Sequence, residues 1–501
     1  MRRTSSYKQL HNQCGAVGLM VTLLVPFFIG VAALAIDVTH RVVLSNELQN
    51  AADAGALAGA ARLYTADGTM IDTGANQIAQ EMAWQNLTTR VPQTTGESNR
   101  LAPEVVADLA ANGGDVQRGH WAFGPPVQSN LARGFYPNAS TATVDLFGVT
   151  SADLDANVNF INAVRVITRR EGTPIVTFFA RIFGVTDTQL SREAVAYIGF
   201  AGRLNPEEVD QPIAICRESI TNGDEYNCNI GRMLNSGSNN VDHNTGGWTD
   251  FNQESNPCQG GTNTSLLRPL ICANGNPYTI FLGRDMATNG GVIQNIFDDF
   301  KDCWDDNTII ADLDSTELDE WCGTGTVIDY LANQLANPAA IVDSPDLIRR
   351  TWGMTLPVIT CPSNNIGTCE RVVGAVDVDV AWINRTANQN QFTGNPGVPK
   401  ALFGPDCNIL WDGSNMPDGD RVDREAVWNS FRDTLPLENV DNIPAHYADK
   451  SIYFLPSCDV HEPTGVSGGE NFGILAKIPV LVCPDPASHN PSDTNNCLGG
   501  Q

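Results

Sequence analysis

Gly465-Val-Ser-Gly-Gly469 is the run that most directly suggests chemistry. It fits the G-x-S-x-G pattern of a serine nucleophile elbow, which needs a strand just before the serine and a helix just after. Here His461-Glu-Pro-Thr464 precedes and Glu470-Asn-Phe-Gly473 follows, so the run reads as a glycine-rich loop. Cys458-Asp-Val-His461 offers half of a zinc ligand set, but the seven histidines are scattered and neither a tight CxxC pair nor H-E-x-x-H occurs. A disulfide cysteine near a surface histidine is the simpler reading. Acidic clusters are the better metal candidates. Asp298, Asp299, Asp302, Asp305 and Asp306 surround one expected helix end, and Asp406, Asp412, Asp418, Asp420 and Asp423 share a loop with Pro417-Asp-Gly419. Oxygen-rich loops suit calcium, yet neither cluster has the EF-hand spacing. Solvated acidic surface is the default and no cofactor is expected; calcium at Asp412, Asp418, Asp420 and Asp423 is the alternative. Asn86-Leu-Thr88 fits the glycosylation pattern.

The chain that must position these residues has 501 residues and a formal net charge of -27, with only 17% charged residues. A nucleic-acid partner is excluded, because phosphate binding needs basic surface. Strong adhesion to anionic lipid headgroups is not expected, for the same reason. Forty-five glycines and 28 prolines imply turn-rich structure with long loops.

Gly15 to Ile36 carries no charge, and as a helix it spans about 33 Å, enough to cross a bilayer core. Arg2, Arg3 and Lys8 precede it and Asp37 follows, which puts residues 1–14 in the cytoplasm and residues 37 onward outside. A cleaved signal peptide is the competing reading, with Ala32-Ala33-Leu34-Ala35 as a cleavage-like stretch. Cys14 precedes the span. Cys216, Cys228, Cys258, Cys272, Cys303, Cys322, Cys361, Cys369, Cys407, Cys458, Cys483 and Cys497 follow it. An even set in an oxidising compartment reads as disulfides of undetermined pairing.

Residues 37–63 continue the helix. Leu44, Leu48, Ala51, Gly55 and Ala58 form a stripe narrowing to small residues, which lets another helix approach closely. Asp53 falls opposite, as a solvated position or a partner contact. A second helix starts at Asp72 or Thr73, with Ala75, Ile78, Ala79 and Met82 on one face, and a third, short one is expected near Glu104 to Ala111. Strands are expected at His120–Phe123, Asn162–Thr168 and Arg192–Phe200, and a short helix from Pro174 to Phe183, stopped by Gly184. This makes 64–203 an α+β domain. Residues 204–501 form a cysteine-containing acidic region. It has a long loop at 233–265, helical spacing through Val292–Trp304 and Val327–Leu335, and three Pro-x-x-x-Cys strands at Pro212–Cys216, Pro357–Cys361 and Pro479–Cys483.

The N-terminal pattern resembles that of TadE/TadG-like Flp (tight adherence) pilus-assembly proteins. The likeness rests on Gly15, mid-membrane Pro26, exit residue Asp37, the polar spacer through Leu48-Gln49, Ala51-Ala52-Asp53-Ala54 and Leu57-Ala58-Gly59-Ala60. Residues 115–201 resemble the downstream domain of the TadG-like group, through Asn162-Ala-Val-Arg-Val166, Phe178-Phe-Ala-Arg-Ile-Phe-Gly184 and Ala194-Val-Ala196. The resemblance covers about the first 200 residues. It implies an inner-membrane protein with a periplasmic body that works with a pilus-assembly and secretion machine. Two family features are missing. Met20 stands where peptidase-processed pilin-like members carry Glu five residues after the glycine, so permanent anchoring is expected. Asp312-Leu-Asp-Ser-Thr316 does not supply the Asp-x-Ser-x-Ser of a von Willebrand A metal site.

The sequence therefore reads as an α+β protein. A single N-terminal transmembrane helix continues into a long helix, followed by mixed extracytoplasmic domains with disulfides. Its expected function is structural and non-enzymatic. The partners are pilin-like or other pilus-assembly membrane proteins, with the small-residue stripe packing on them or on a second copy. A membrane-tethered adhesin is the rival, and a periplasmic hydrolase in residues 204–501 the more distant one.

Overall fold

The computed structural model describes residues 13–65, 70–89, 98–124, 131–222, 225–226, 246–253, 262–290, 293–308, 348–361, 366–384, 401–412, 424–438, 444 and 451–482, isolated positions within these ranges aside. The fold is α+β with a long N-terminal apolar helix. The described chain divides into two compact units. The first comprises residues 1–144, 151–198 and 479–501, and the second residues 145–150 and 199–478.

Helix α1 (Gln13–Ala61) is unbroken over 49 residues, about 74 Å. Pro26 sits inside it. From Met20 to Ile36 the helix is solvent-exposed in the isolated chain, Gly30 and Ala33 aside, whereas Leu44, Leu48, Ala51, Ala52, Ala56 and Ala60 are buried. The helix thus changes character along its length, from a lipid-compatible rod to the core helix of a domain. Helix α2 (Ala75–Gln85) packs against this second half. Its buried positions are Ala75, Asn76, Ala79 and Ala83, while Met82 is exposed and Ile78 only half-buried. The expected face was rotated because close helix contact here selects the small side chains over the large apolar ones.

Both helices lie on one antiparallel sheet. Its strands are β1 (Val116–Ala122), β2 (Gly134–Pro137), β3 (Ala163–Val176) and β4 (Asp187–Tyr197). The helices and sheet share a core of Ala56, Ala60, Ala79, Ala83, Val116, Val164, Val166 and Ala196. Two local expectations fail here. Residues 104–111 form no helix; Glu104 bridges Arg169 across the sheet and Ala107–Asp108 pair as a strand. Residues 174–183 are not one helix either. β3 runs on to Val176, and only Ala180–Phe183 turns, as a 3-10 helix. Gly184 does end it, at a φ of 88°.

The second unit is built on β5 (Ile213–Cys216), β6 (Gly246–Thr249), β7 (Asp285–Asn289), β8 (Trp352–Ile359), β9 (Cys369–Asn384) and β10 (Ser451–Val460). The order is β7-β6-β5-β8-β9-β10, and β7 also pairs with the start of β9, so five strands close into a ring. Helices α3 (Gln294–Thr308) and α4 (Arg424–Thr434) cover its core with Ile296, Phe297, Phe300, Trp304, Val427, Trp428 and Phe431. Each such fully buried phenylalanine stabilises by about 1.5–3 kcal/mol. Of the apolar spacing read over 292–304, residues 293–304 supply this buried stripe; Val292 and the helical spacing at 327–335 lie outside the described residues.

Of the three Pro-x-x-x-Cys runs, the first two are adjacent parallel strands, with Ile215 opposite Val358 and Cys216 opposite Ile359. The third, β11 (Val480–Val482), leaves the second unit and pairs with β4 at the edge of the first sheet, Val480 opposite Tyr197. Reading 204–501 as one region missed this return, because a three-residue strand carries no mark of the sheet it will join.

Candidate functional site

Where the membrane segment becomes a domain, α1 is held by side chains from the whole first unit. Leu44 and Leu48 pack with Ile175 and Leu190. The backbone of Gly55 lies so close to α2 that an added Cβ would sit 2.7 Å from the Ala79 carbonyl oxygen and 3.1 Å from the Ala83 Cβ. At Gly59 the corresponding distances are 2.8 Å to the Ala79 Cβ and 2.9 Å to Val164 Cγ1. The stripe expected to receive a partner is therefore occupied by the chain's own α2 and sheet at Leu44, Leu48, Ala51 and Gly55, with only Ala58 half-exposed. Its small residues permit close packing, as the spacing indicated, but the packing partner is internal.

Polar contacts fasten the same helix. Glu47 accepts from the Thr89 backbone N–H (2.6 Å) and hydroxyl (2.7 Å). The Thr168 hydroxyl donates to the Leu48 carbonyl (2.9 Å), Arg192 donates to the Ser45 hydroxyl, and the Tyr64 hydroxyl donates to the Ile161 carbonyl (2.7 Å). Gln49 donates to Asp53 (2.8 Å) and to the Glu193 carbonyl (3.2 Å). Burial raises the Asp53 pKa and outweighs the lowering by Gln49. Asp53 is thus a half-buried brace for Gln49.

Asp37, the exit residue, has the most specific contact. One carboxylate oxygen accepts the Phe178 N–H (2.8 Å), and the other accepts those of Phe179 (2.9 Å) and Ala180 (2.6 Å). The His40 and Phe178 rings lie 5.5 Å apart. Asp37 and Phe178-Gly184 were both visible as separate family features. Nothing in the sequence connects them, since Asp37 and Phe178 are 141 positions apart.

The chemical candidates take structural roles. Ser467 is buried, with its hydroxyl 3.4 Å from both the Gly199 N–H and the Ile478 carbonyl. An added Cβ on Gly465 would meet the Arg203 carbonyl at 2.4 Å, and one on Gly469 the Ala201 carbonyl at 2.2 Å. The glycines of G-x-S-x-G thus allow backbone contact with residues 201–203, and among the described residues no helix follows the serine. Cys458 is disulfide-bonded, so it is not a zinc thiolate. On α3, Asp299 pairs with Arg268 (2.7 Å), and Asp305 with Arg349 (2.8 Å) and Lys301. Asp412 is exposed; Asp418, Asp420 and Asp423 lie outside the described residues. Among the described residues no three His, Cys, Asp or Glu side chains gather as metal ligands. Asn86 caps the end of α2, donating to the Met82 carbonyl (2.8 Å).

Cysteines are paired as Cys216–Cys361 and Cys272–Cys303, and Cys369 and Cys407 are disulfide-bonded as well. Cys228, Cys258, Cys322, Cys483 and Cys497 lie outside the described residues.

His461, the other half of the supposed zinc pair, lies between two carboxylates in the second unit. Nδ1 is 3.0 Å from Asp377 and Nε2 is 3.3 Å from Glu208. Burial opposes its charge, but the two carboxylates outweigh burial and raise its pKa to about 9. Because the folded pKa lies above the unfolded value of about 6.5, this contribution is complete below pH 6.5 and is lost as pH rises through 9. The second unit should therefore lose about 2 kcal/mol between those limits, with Asp377 half-exposed and partly screened. Urea midpoints measured at pH 6 and pH 9.5 would show this, and His461→Gln should flatten the difference.

Comparison with known proteins matches only the N-terminal part of the chain. A family model for Flp pilus-assembly TadE/G-like proteins matches residues 15–62, which is α1 from the membrane segment to its buried end. A second, for Tad-like Flp pilus assembly, matches residues 58–196, which is α2 and the sheet that packs on α1. No curated protein and no solved structure matches the chain. The two models meet within the last turn of α1, so they describe the two halves of one packed unit. Residues 15–196 thus carry the two domains of TadE/TadG-like Flp pilus-assembly proteins, and the chain is similar to that family over this part.

Proposed function

We propose that this chain is a membrane-anchored structural component of Flp/Tad-type pilus assembly or secretion, with its N-terminus in the cytoplasm and its bulk in the periplasm. The observation that carries this reading is α1, one helix that supplies both the membrane segment and the buried core of the family domain. Such a helix holds a domain at a fixed height and angle over the bilayer, which is what an assembly scaffold requires. It binds neighbouring pilus-assembly proteins through extracytoplasmic surface rather than through the covered stripe. The disulfides support the outward orientation, because such bonds persist in oxidising compartments.

Two experiments test it. Alkaline phosphatase fused after Gln501 should be active, and the same enzyme fused before Met1 inactive; the reverse pattern would overturn the orientation. Surface pili should disappear when the gene is deleted and return with the full-length chain. A second complementing form should replace residues 199–478 with a short Gly/Ser linker, because β4 and β11 are neighbours in one sheet. Restoration by that form would confine assembly to the first unit. Unchanged pili in the deletion strain would bring the tethered-adhesin reading forward.

A further inference from the structure

The turn that Asp37 holds displays apolar side chains that the domain does not use. Ile182 is 76% exposed and Phe183 is 70% exposed, with Phe178 and Val185 also at the surface. These values match Phe27 and Phe28, both 63% exposed, in the membrane segment itself. The turn is well defined. Gly184 donates to the Arg181 carbonyl (3.1 Å), Val185 to the Ala180 carbonyl (3.2 Å), and Thr177 to the Thr186 carbonyl (3.1 Å). Its apolar side chains are therefore presented outward by a hydrogen-bonded frame.

Position decides what covers them. The three amide bonds to Asp37 fix the turn beside α1 one residue beyond Ile36, the last residue of the uncharged span. A surface at that height on a membrane helix meets the interfacial zone of the lipid. We propose that Phe178–Val185 is a second membrane contact, in which Ile182 and Phe183 enter the leaflet from which α1 emerges. The proposal rests on the reading that α1 spans the bilayer. Arg181, exposed on the same turn, donates from Nε to the Phe178 carbonyl (3.1 Å), and its remaining guanidinium N–H groups can reach lipid phosphates. With a net charge of -27, general electrostatic attraction to anionic lipid cannot drive this contact; insertion of apolar side chains can. Two contacts, one spanning and one interfacial, would fix both the tilt of α1 and its rotation about its own axis.

The test places the photoreactive residue p-benzoylphenylalanine singly at positions 182 and 183 of the full-length chain in native membranes. Position 28 serves as a control in the span, and position 70, an exposed methionine of the first unit just past the far end of α1, as a control in water. Lipid adducts at 182 and 183 comparable with those at 28, and none at 70, are expected by mass spectrometry. Ile182→Asp should abolish the adduct at 183 without altering the fold, since Ile182 is 76% exposed. Protein adducts or none at 182 and 183, with lipid adducts at 28, would overturn the membrane contact alone. Absence of lipid adducts at 28 as well would overturn the spanning reading and this contact with it.

Discussion

Cys216→Ser together with Cys361→Ser should lower the stability of the second unit by about 4 kcal/mol. The bridge closes a segment of 145 residues, the largest loop closed by a described disulfide. In the chain-entropy model the gain rises with the logarithm of loop length, so the Cys272–Cys303 bridge inside that loop, separated by 31, subtracts little from it. The bonded cysteines also sit at the ends of neighbouring parallel strands β5 and β8, a pairing that needs a long connection and gains most from a staple. The expected readout is a large fall in the urea midpoint by tryptophan fluorescence, with Trp248 and Trp304 reporting from the core. A midpoint within error of the parent would show that the unfolded chain is already constrained by its other bridges.

Gly59→Leu should have the next largest effect, about 3 kcal/mol on the first unit. No rotamer helps, because the Cβ itself lies under 3.0 Å from Ala79 and Val164. Ala58→Leu, one residue earlier and half-exposed, should cost less than about 1 kcal/mol. Limited proteolysis of membranes carrying each variant would separate them: α2 and the sheet should be cut readily in Gly59→Leu and remain protected in Ala58→Leu. Equal protection would mean that the α1–α2 contact is looser than its geometry indicates. The same contact changes the meaning of a Gly55→Leu, Ala58→Leu pair. The stripe reading expects these substitutions to break docking on another subunit, but Gly55→Leu would first break the chain's own fold.

The parts of this structure legible in sequence are those set by local chemistry. Gly15–Ile36 and the alanines beyond it specify one continuous helix, Gly184 stops a turn, and Ile296, Phe297, Phe300 and Trp304 specify a buried helical face. The misreadings share a cause. At α2 the periodicity indicated Ala75, Ile78, Ala79 and Met82, whereas α1 approaches too closely for the two large side chains and takes Ala75, Ala79 and Ala83. At 104–111 helical propensity lost to a carboxylate: Glu104 accepts the N–H groups of Glu171 (3.1 Å), Gly172 (2.8 Å) and Thr173 (2.6 Å), which ties that stretch to the bend in β3. Asp37 could be seen as an exit residue but not as the acceptor for a turn 141 residues away. Contacts over such distances depend on where the sheet places its strands, and no pattern within either segment records them.

The return of β11 to the first sheet has a consequence for the order in which the protein can be finished. β4 leaves the ribosome long before its neighbour. Residues 199–478 must be made in between, roughly 15–55 s at ordinary elongation rates. Throughout that interval the backbone of Val195, Ala196 and Tyr197 is an open sheet edge that another chain could join. The first unit begins first and closes last, so the newly made protein passes through a stage in which it is vulnerable to its own copies. A chain cut short after residue 203 would remain at that stage permanently.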